Sequence, residues 1–233
     1  MNKNFSAMIL AAGFGKRLLP ITERIPKPLL EINGITLLDN AINFLYKLGC
    51  EQIVVNTHYK HEQIEFQIKK HRLKEKIIII YEKNILDTGG AVKNASFLFK
   101  NRNILITNGD IFWQNNNLID VKKMINNYKI NNLPSLLLVE KAKAFGLDNS
   151  QGDFILHKNK LKRYSNGNKI FFYSGLQLMN LDYFEKIKEK KFSSNHVWDS
   201  LIKESLLTGY LMSTNLFHVG NHDSLSKVKE LTS

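Results

Sequence analysis

The sequence has little of what marks secreted or membrane proteins. Cys50 is the only cysteine among 233 residues, so no internal disulfide can form and we expect a reducing, cytoplasmic compartment. No stretch approaches the roughly 20 consecutive apolar residues that a membrane-spanning helix needs. The N-terminus, Met1 to Ser6, is polar and lacks the charged-then-apolar layout of a signal peptide. We therefore expect a soluble protein with no membrane partner.

The sequence also lacks the clustered positive charge of most nucleic-acid-binding proteins. It has 33 Lys and Arg against 21 Asp and Glu, a formal net charge of +12. The lysines are scattered, and the densest run, Lys186 to Lys191, contains a glutamate, which is typical of a solvated helix face. Nucleic-acid readers more often combine clustered Arg and Lys with aromatic residues. We expect no nucleic-acid partner, although an anionic phosphorylated substrate would benefit from the positive field.

Internal repeats, low-complexity tracts and linkers are absent too, and an apolar fraction of 43% suffices for one hydrophobic core. In the first half, short apolar runs alternate with amphipathic stretches. These runs predict strands over Phe5 to Ala11, Gln52 to Asn56, Ile77 to Tyr81 and Ile104 to Thr107. The stretches predict helices over Leu37 to Leu48, His61 to Lys70 and Gly89 to Leu98. This alternation favours a parallel sheet with helices on both faces.

The second half is more mixed. The patterns predict strands over Ser135 to Glu140, Gly152 to His157, Lys160 to Tyr164, Lys169 to Tyr173 and Tyr210 to Val219. They predict helices over Leu178 to Lys188 and His196 to Leu207. We therefore expect one continuous α/β domain. In such folds ligands bind beyond the carboxyl ends of the strands.

Two glycines follow the first predicted strand, in Leu10-Ala11-Ala12-Gly13-Phe14-Gly15-Lys16-Arg17. Glycines let the backbone approach a triphosphate closely, and Lys16 and Arg17 can bind phosphate oxygens. The segment has neither the third glycine of a dinucleotide-binding loop nor the Gly-Lys-Ser/Thr ending of a Walker loop. Ten residues beyond Arg17, the prolines of Pro26-Lys27-Pro28 fix where Lys27 projects. The joint spacing indicates a phosphate site of another kind.

These motifs closely resemble the signature of the sugar-1-phosphate nucleotidyltransferase family. The resemblance spans essentially the whole chain in order, through Asn56 to Tyr59, Glu62-Gln63-Ile64, Asp87-Thr88-Gly89-Gly90-Ala91, Asn108-Gly109-Asp110, Ser174-Gly175 and Val219-Gly220. Within the family, the chain looks most like bacterial N-acetylmuramate α-1-phosphate uridylyltransferases, which serve cell-wall recycling. The resemblance implies a Rossmann-like three-layer α/β fold with a mainly parallel mixed sheet. It implies one domain over 1–233, with a nucleotide-binding half at 1–134 and a sugar-phosphate-binding half at 135–233.

The resemblance also implies a reaction and a set of roles. The enzyme would transfer UMP from UTP to a sugar 1-phosphate, namely N-acetylmuramate 1-phosphate, and release pyrophosphate. The cofactor would be Mg²⁺ or Mn²⁺. Arg17, Lys27 and Asp110 would be catalytic, and Asp110 would bind the metal. The residues expected to bind the nucleotide are Leu10, Ala11, Ala12, Gly13, Gly15, Lys16, Gly89 and Asn108. Asp153 and Gly175 would lie near the sugar.

One position departs from the family pattern. The family usually has a second metal-binding aspartate two residues before the glycine near the C-terminus, whereas this chain has His218. Neutral imidazole is a poor ligand for Mg²⁺ but is accepted by Mn²⁺, Co²⁺ and Zn²⁺. The metal could be held by Asp110 and substrate oxygens alone, Mn²⁺ could be preferred, or activity could be lost. We expect an active enzyme that Mn²⁺ supports better than Mg²⁺.

Several alternatives stay open on the sequence alone. The acceptor could be glucose 1-phosphate or mannose 1-phosphate, and the donor UTP, dTTP or GTP. A catalytically silent sugar-nucleotide sensor is a different class, favoured by His218. A basic nucleic-acid-binding protein is a third, and it would show steeply salt-dependent affinity. The oligomeric state cannot be read from the sequence.

Overall fold

The computed structural model describes residues 5–147, 152–164 and 169–232; the first four residues of the polar N-terminal segment lie outside it. The strands, in chain order, are β1 (Ser6–Leu10), β2 (Glu31–Ile32), β3 (Ile35–Thr36), β4 (Ile53–Thr57), β5 (Ile77–Tyr81), β6 (Asn103–Asn108), β7 (Ile111–Phe112), β8 (Ser135–Glu140), β9 (Ala144–Phe145), β10 (Phe154–His157), β11 (Lys160–Arg163), β12 (Phe171–Asn180), β13 (Thr208–Leu211) and β14 (Leu216–His218). The helices are α1 (Ile21–Arg24), α2 (Leu37–Lys47), α3 (His61–Lys70), α4 (Asp87–Asn94), α5 (Asn117–Asn131), α6 (Asp182–Glu185), α7 (Ser194–Lys203) and α8 (His222–Thr232).

The main sheet contains strands from both halves of the chain, in the order β10-β11-β13-β8-β12-β6-β1-β4-β5. The first-half strands β6, β1, β4 and β5 are parallel neighbours. In the second half, β12 runs antiparallel to both β6 and β8. The predicted mixed α/β fold is confirmed, with its continuous parallel part in the first half.

Both faces of the main sheet are covered, which produces three layers. Successive side chains of a strand point to opposite faces, so the continuous apolar run of β1 is buried on both sides. Ala7 and Ile9 pack in one hydrophobic cluster with residues of α2 and α5. Met8 packs in the other cluster with residues of α4 and α7.

The predicted helix over Leu178 to Lys188 is wrong. Strand β12 continues through Asn180, and only Asp182–Glu185 is helical. Strand β12 lies between β6 and β8, and Leu178 and Met179 near its end are buried on opposite faces of the sheet, so this part of the chain is a short apolar run. Such a run cannot be distinguished from a buried helix by periodicity alone.

The single strand predicted over Tyr210 to Val219 is also wrong. Strand β13 belongs to the main sheet, whereas β14 belongs to a small sheet with β7 and β9. Between them the chain turns at Ser213 and Thr214, whose backbone N–H groups donate to the buried carboxylate of Asp120 over 3.0 and 3.1 Å. Asp120 lies on α5, a helix that sequence analysis missed. Its apolar residues Val121, Met124, Ile125 and Tyr128 are buried at helical spacing, so the signal was present.

Candidate active site

A cavity of about 400 Å³ opens at the carboxyl ends of β1, β4 and β6, where ligands bind in sheets of this kind. It is lined by most of the residues predicted to bind the nucleotide or to act in catalysis, namely Leu10, Ala11, Ala12, Gly13, Gly15, Lys16, Arg17, Lys27, Asn108 and Asp110. The structure thus brings together segments that lie up to 100 positions apart.

The two glycine positions in the loop after β1 differ in how much room they leave for a side chain. Gly15 has a φ of +66°, and a Cβ atom there would lie 2.8 Å from Thr22 Cγ2. Thr22 also donates its hydroxyl to the Gly15 carbonyl over 3.1 Å. At Gly13 a Cβ would meet nothing within 4 Å, so this position leaves open space in the cavity wall. The loop therefore offers exposed backbone beside the exposed side chains of Lys16 and Arg17.

A buried polar chain fixes the cavity floor. Asn56, at the end of β4, accepts from the Ala11 N–H over 3.0 Å and donates to Glu82 Oε1 over 2.7 Å. Glu82 Oε2 in turn accepts from the Leu86 N–H over 3.1 Å. Burial raises the pKa of Glu82 against the opposing effect of these hydrogen bonds. Sequence analysis assigned neither residue a role, although both are polar residues placed where parallel strands end.

Three charged or polar side chains meet at one edge of the cavity. Lys27 Nζ lies 2.6 Å from Asp110 Oδ2, and His218 Nε2 lies 3.3 Å from the same oxygen. All three side chains are largely buried, with 13%, 21% and 12% of their surfaces exposed for Lys27, Asp110 and His218. Burial by itself raises the pKa of Asp110, but the charges and hydrogen bonds of Lys27 and His218 outweigh it and hold the pKa well below its usual range. The carboxylate is therefore a fixed anion.

The small sheet explains why His218 reaches this site. Asp110 directly precedes β7, and in the β7–β14 pairing His218 lies opposite Ile111. The Val219 N–H donates to the Asp110 carbonyl over 2.8 Å. The position where the family pattern has an aspartate is thus held beside Asp110 by backbone pairing.

A second cavity, of about 320 Å³, shares the walls formed by Leu10, Asp87, Thr88 and Asn108. Its other polar and aromatic walls come from the second half of the chain: Asp153, Tyr173, Gln177, Ser193, Ser194, Asn195 and Trp198. Asp153 Oδ2 accepts from the Tyr173 N–H over 2.8 Å, and burial raises the pKa of Asp153. Apart from Asp153, sequence analysis assigned no role to these residues, because they lie on β12 and on α7 and the segment before it.

The comparisons with known proteins identify the family. The profile described as Nucleotidyl transferase matches residues 6–233. The chain belongs to the nucleotidyl transferase family. The predicted membership among sugar-1-phosphate nucleotidyltransferases is confirmed by the curated relatives of this chain.

Two of these nucleotidyl transferase relatives match almost the whole chain. D-glycero-alpha-D-manno-heptose 1-phosphate guanylyltransferase of Aneurinibacillus thermoaerophilus is 28% identical over 231 residues, 96% of this chain and 96% of its own. N-acetylmuramate alpha-1-phosphate uridylyltransferase of Caulobacter vibrioides (strain ATCC 19089 / CIP 103742 / CB 15) is 27% identical over 222 residues, 92% of this chain and 91% of its own. The two relatives use different nucleotides and sugars at nearly equal identity.

Solved structures share the nucleotidyl transferase fold. HddC from Yersinia pseudotuberculosis, in complex with GMP-PN, superposes with a TM-score of 0.79 at 24% identity, covering 98% of this chain and 100% of that one. Apo UDP-glucose pyrophosphorylase superposes with a TM-score of 0.81 at 16% identity, covering 98% of each chain. At these identities the likeness establishes the fold alone.

Nucleotidyl transferases generally use divalent metal ions, and Asp110 has the chemistry to hold one. Its Oδ1 atom is buried without a hydrogen-bond partner among the described residues, and carboxylate oxygen is a preferred ligand of Mg²⁺. His218 is placed differently. Its Nδ1 lies 3.1 Å from the Gly146 carbonyl and its Nε2 faces Asp110, so His218 would have to turn before it could ligate a metal. Over the described ranges no group of three His, Cys, Asp or Glu could hold a metal ion.

Two glycines predicted to contact substrates are closely packed against other parts of the protein. The Gly89 N–H donates to the Phe192 carbonyl over 2.9 Å, and a Cβ at Gly89 would lie 2.4 Å from Phe192 Cε2. Gly175, with a φ of +87°, lies in an irregularity of β12 where a Cβ would lie 2.7 Å from Ile111 Cγ1. Neither glycine lines the two cavities. In this structure the Gly89 N–H is bonded to Phe192, and the roles predicted for Gly89 and Gly175 toward substrates stay predictions.

Helix length bears on the membrane prediction. None of the helices in the described part of the chain is long and apolar enough to cross a membrane.

Proposed function

We propose that the protein transfers a nucleoside monophosphate from a nucleoside triphosphate to a sugar 1-phosphate, releasing pyrophosphate, in the two joined cavities. The observation that carries this proposal is the ionised Asp110, held by Lys27 beside a glycine loop with two exposed cations. Asp110 is a fixed anion whose Oδ1 has no partner among the described residues, and it lies beside a loop suited to binding phosphates. These features match a metal-dependent reaction between two polyanions.

The first half of the chain would bind the nucleotide. The backbone at Gly13 and Gly15 and the side chains of Lys16 and Arg17 would hold the triphosphate. The nucleoside would lie against the segment that begins at Leu10 and Ala11, which Asn56 anchors. The second half, which supplies most of the second cavity, would hold the sugar beside Asp153.

The reaction is an in-line displacement at the α-phosphorus. An oxygen of the sugar phosphate attacks, the bond to the bridging oxygen breaks, and its electron pair leaves with pyrophosphate. The attacking phosphate oxygen is already anionic, so no general base is required. Alignment and charge neutralisation are therefore the main tasks of the protein. Lys27 and Arg17 would supply positive charge near the reacting phosphates.

A divalent cation, Mg²⁺ or Mn²⁺, would be held by Asp110 Oδ1 together with substrate oxygens. When bound there it would neutralise charge on the α-phosphate and orient the two substrates. Lys27 and His218 contact the other carboxylate oxygen, Oδ2, and so hold the carboxylate in place. Oδ1 is the oxygen left for the metal.

Two substrate pairs are candidates. The sequence motifs favour UTP with N-acetylmuramate 1-phosphate, the pair named for the Caulobacter vibrioides relative. GTP with a heptose 1-phosphate is the pair named for the Aneurinibacillus thermoaerophilus relative. The identities of 27% and 28% do not separate them.

Pyrophosphate release tests the proposal directly. The purified protein is given UTP, dTTP or GTP with each of several sugar 1-phosphates, in Mg²⁺ and in Mn²⁺. The proposal predicts release that requires both substrates and a divalent cation. Nucleotide binding without release for every pair would instead identify a catalytically silent sensor.

A further inference from the structure

We infer that the sugar 1-phosphate acceptor is neutral apart from its phosphate, and that the hydroxyl groups of Tyr173 and Ser194 bind its hydroxyl groups. The inference rests on the proposed function, since it takes the second cavity as the place of the sugar. It goes further because it chooses between classes of acceptor that the comparisons leave equal.

The charge of the second cavity is the first argument. The described residues that line this cavity include two carboxylates, Asp87 and Asp153, and no Lys, Arg or His. The cations of the site, Lys16, Arg17 and Lys27, line the other cavity, where the phosphates of both substrates would lie. A carboxylate carried on the sugar would thus meet anions without a compensating cation.

The neighbouring cation Arg163 is already engaged. Its Nε donates to Asp199 Oδ1 over 2.7 Å and its Nη2 donates to Asn195 Oδ1 over 2.8 Å. Its guanidinium also lies 4.9 Å from the centre of the Phe154 ring. The segments at 148–151 and 165–168, outside the described residues, contain no Lys, Arg or His in their sequences. No cation from these segments can compensate an anionic sugar.

Partnerless hydroxyl groups are the second argument. Tyr173 Oη and Ser194 Oγ are buried without a hydrogen-bond partner among the described residues, and both residues line the second cavity. Buried polar groups are normally hydrogen-bonded, so partnerless hydroxyls on residues that line a cavity are the groups that a bound ligand would complete. A sugar hydroxyl can donate and accept, as these two hydroxyls can. Trp198, whose ring centre lies 4.8 Å from that of Tyr173, adds an aromatic wall.

This chemistry disfavours one of the two candidate acceptors. N-acetylmuramate 1-phosphate carries a lactyl carboxylate in addition to its phosphate, whereas heptose, mannose and glucose 1-phosphates do not. Moving a carboxylate from water to a site without a cation is strongly unfavourable. The N-acetylmuramate pair favoured by the sequence motifs is therefore the one that the second cavity opposes.

A matched pair of acceptors tests the inference. N-acetylmuramate 1-phosphate and its lactyl carboxamide have almost the same shape, but only the acid carries the extra charge. We measure kcat/KM for both and for mannose, glucose and heptose 1-phosphates, with GTP and with UTP. Where an acceptor turns over too slowly for kcat/KM to be measured, we measure its inhibition constant in competition with the best acceptor. The expected result is a preference of at least about tenfold for the carboxamide over the acid, because the acid leaves an unpaired buried charge.

Substitution of Asp153 provides a second readout. Asp153→Asn removes a cavity carboxylate and is expected to reduce the preference for the carboxamide. The control Glu140→Gln removes a carboxylate that pairs with Lys169 outside the cavity, and it should leave the preference unchanged. An acid that reacts or binds as well as its carboxamide in the wild-type protein would overturn the inference.

Different results would contradict the proposed function and the neutral-acceptor inference. If no acceptor yields pyrophosphate with any nucleotide, the proposed function is wrong. If pyrophosphate is released but the acid equals or exceeds its carboxamide, only the neutral-acceptor inference is wrong.

Discussion

Lys27 and Asp110 lie 83 positions apart in the chain, yet their side chains meet at 2.6 Å. Lys27 begins a short 3₁₀ turn and lies between two prolines, and Asp110 lies two residues beyond the end of strand β6. The contact therefore ties the glycine-loop region to the carboxyl end of the sheet. The contact uses Asp110 Oδ2, and within the described part of the chain Oδ1 has no hydrogen-bond partner, which is the feature that points to a metal.

Lys27→Met is expected to lower kcat/KM by about 10²–10³-fold, because it removes a fixed charge from the reacting phosphates. The measurement is steady-state pyrophosphate release with both substrates varied. Lys162→Met, which removes an exposed lysine on β11, is the matched control and should retain wild-type kcat/KM. Wild-type activity in Lys27→Met would show that the contact with Asp110 has no catalytic role.

Gly13→Ala and Gly15→Ala should have separable effects. A Cβ at Gly15 would clash with Thr22 at a positive φ, so we expect a loss of stability of about 1–3 kcal/mol. A Cβ at Gly13 enters open space in the cavity wall, so stability should hold while the KM for the nucleoside triphosphate rises. Thermal unfolding and nucleotide titration check the two effects. Equal unfolding midpoints for the two variants would contradict this assignment.

His218 is expected to affect which divalent metal ion supports the faster reaction. We expect faster turnover in Mn²⁺ than in Mg²⁺ for the wild-type protein, because His218, once turned from the Gly146 carbonyl toward the metal, would offer a nitrogen ligand that Mn²⁺ accepts better than Mg²⁺ does. His218→Asp supplies a second carboxylate beside Asp110 and should shift the ratio of rates toward Mg²⁺. The check is pyrophosphate release in each metal at saturating substrates. Equal or faster turnover in Mg²⁺, with His218→Asp changing nothing, would refute this prediction.

Tyr173→Phe removes a buried hydroxyl from the second cavity. We expect a higher KM for the sugar 1-phosphate, by about tenfold, with an unchanged dissociation constant for the nucleoside triphosphate. Burial, together with the negative charges of Asp110 and Asp153, raises the pKa of Tyr173 far above its usual value. The hydroxyl is therefore protonated throughout the working range, and the effect should not depend on pH. Tyr183→Phe, outside both cavities, is the control, and an equal effect there would count against the assignment.

The parts of the site that the sequence could predict are local. Glycines after an apolar run, a lysine between prolines and an aspartate at a strand end each leave a signal within a few residues. Gly13, Lys27 and Asp110 all line the cavity. Asp153 could be placed near the second cavity only through the family resemblance, because its own neighbourhood reads as an ordinary turn.

The parts that could not be predicted depend on distant packing. Tyr173 and Trp198 meet only because β12 crosses the middle of the sheet and α7 packs over one face. The glycines Gly89 and Gly175 gave the same local signal as Gly13, yet their space is filled by Phe192 and Ile111. A glycine in a sequence therefore indicates that another group packs close to the backbone, but it does not show whether that group belongs to a ligand or to the protein.

The most direct test of the central claim is pyrophosphate release by Asp110→Asn, measured beside nucleotide binding. Asparagine keeps the shape but removes the charge that would hold the metal. We predict a loss of about 10²–10³-fold or more in kcat, with the protein still folded and still binding nucleotide. Asp223→Asn, an exposed aspartate at the start of α8, should match the wild-type protein. Full turnover by Asp110→Asn would contradict the account.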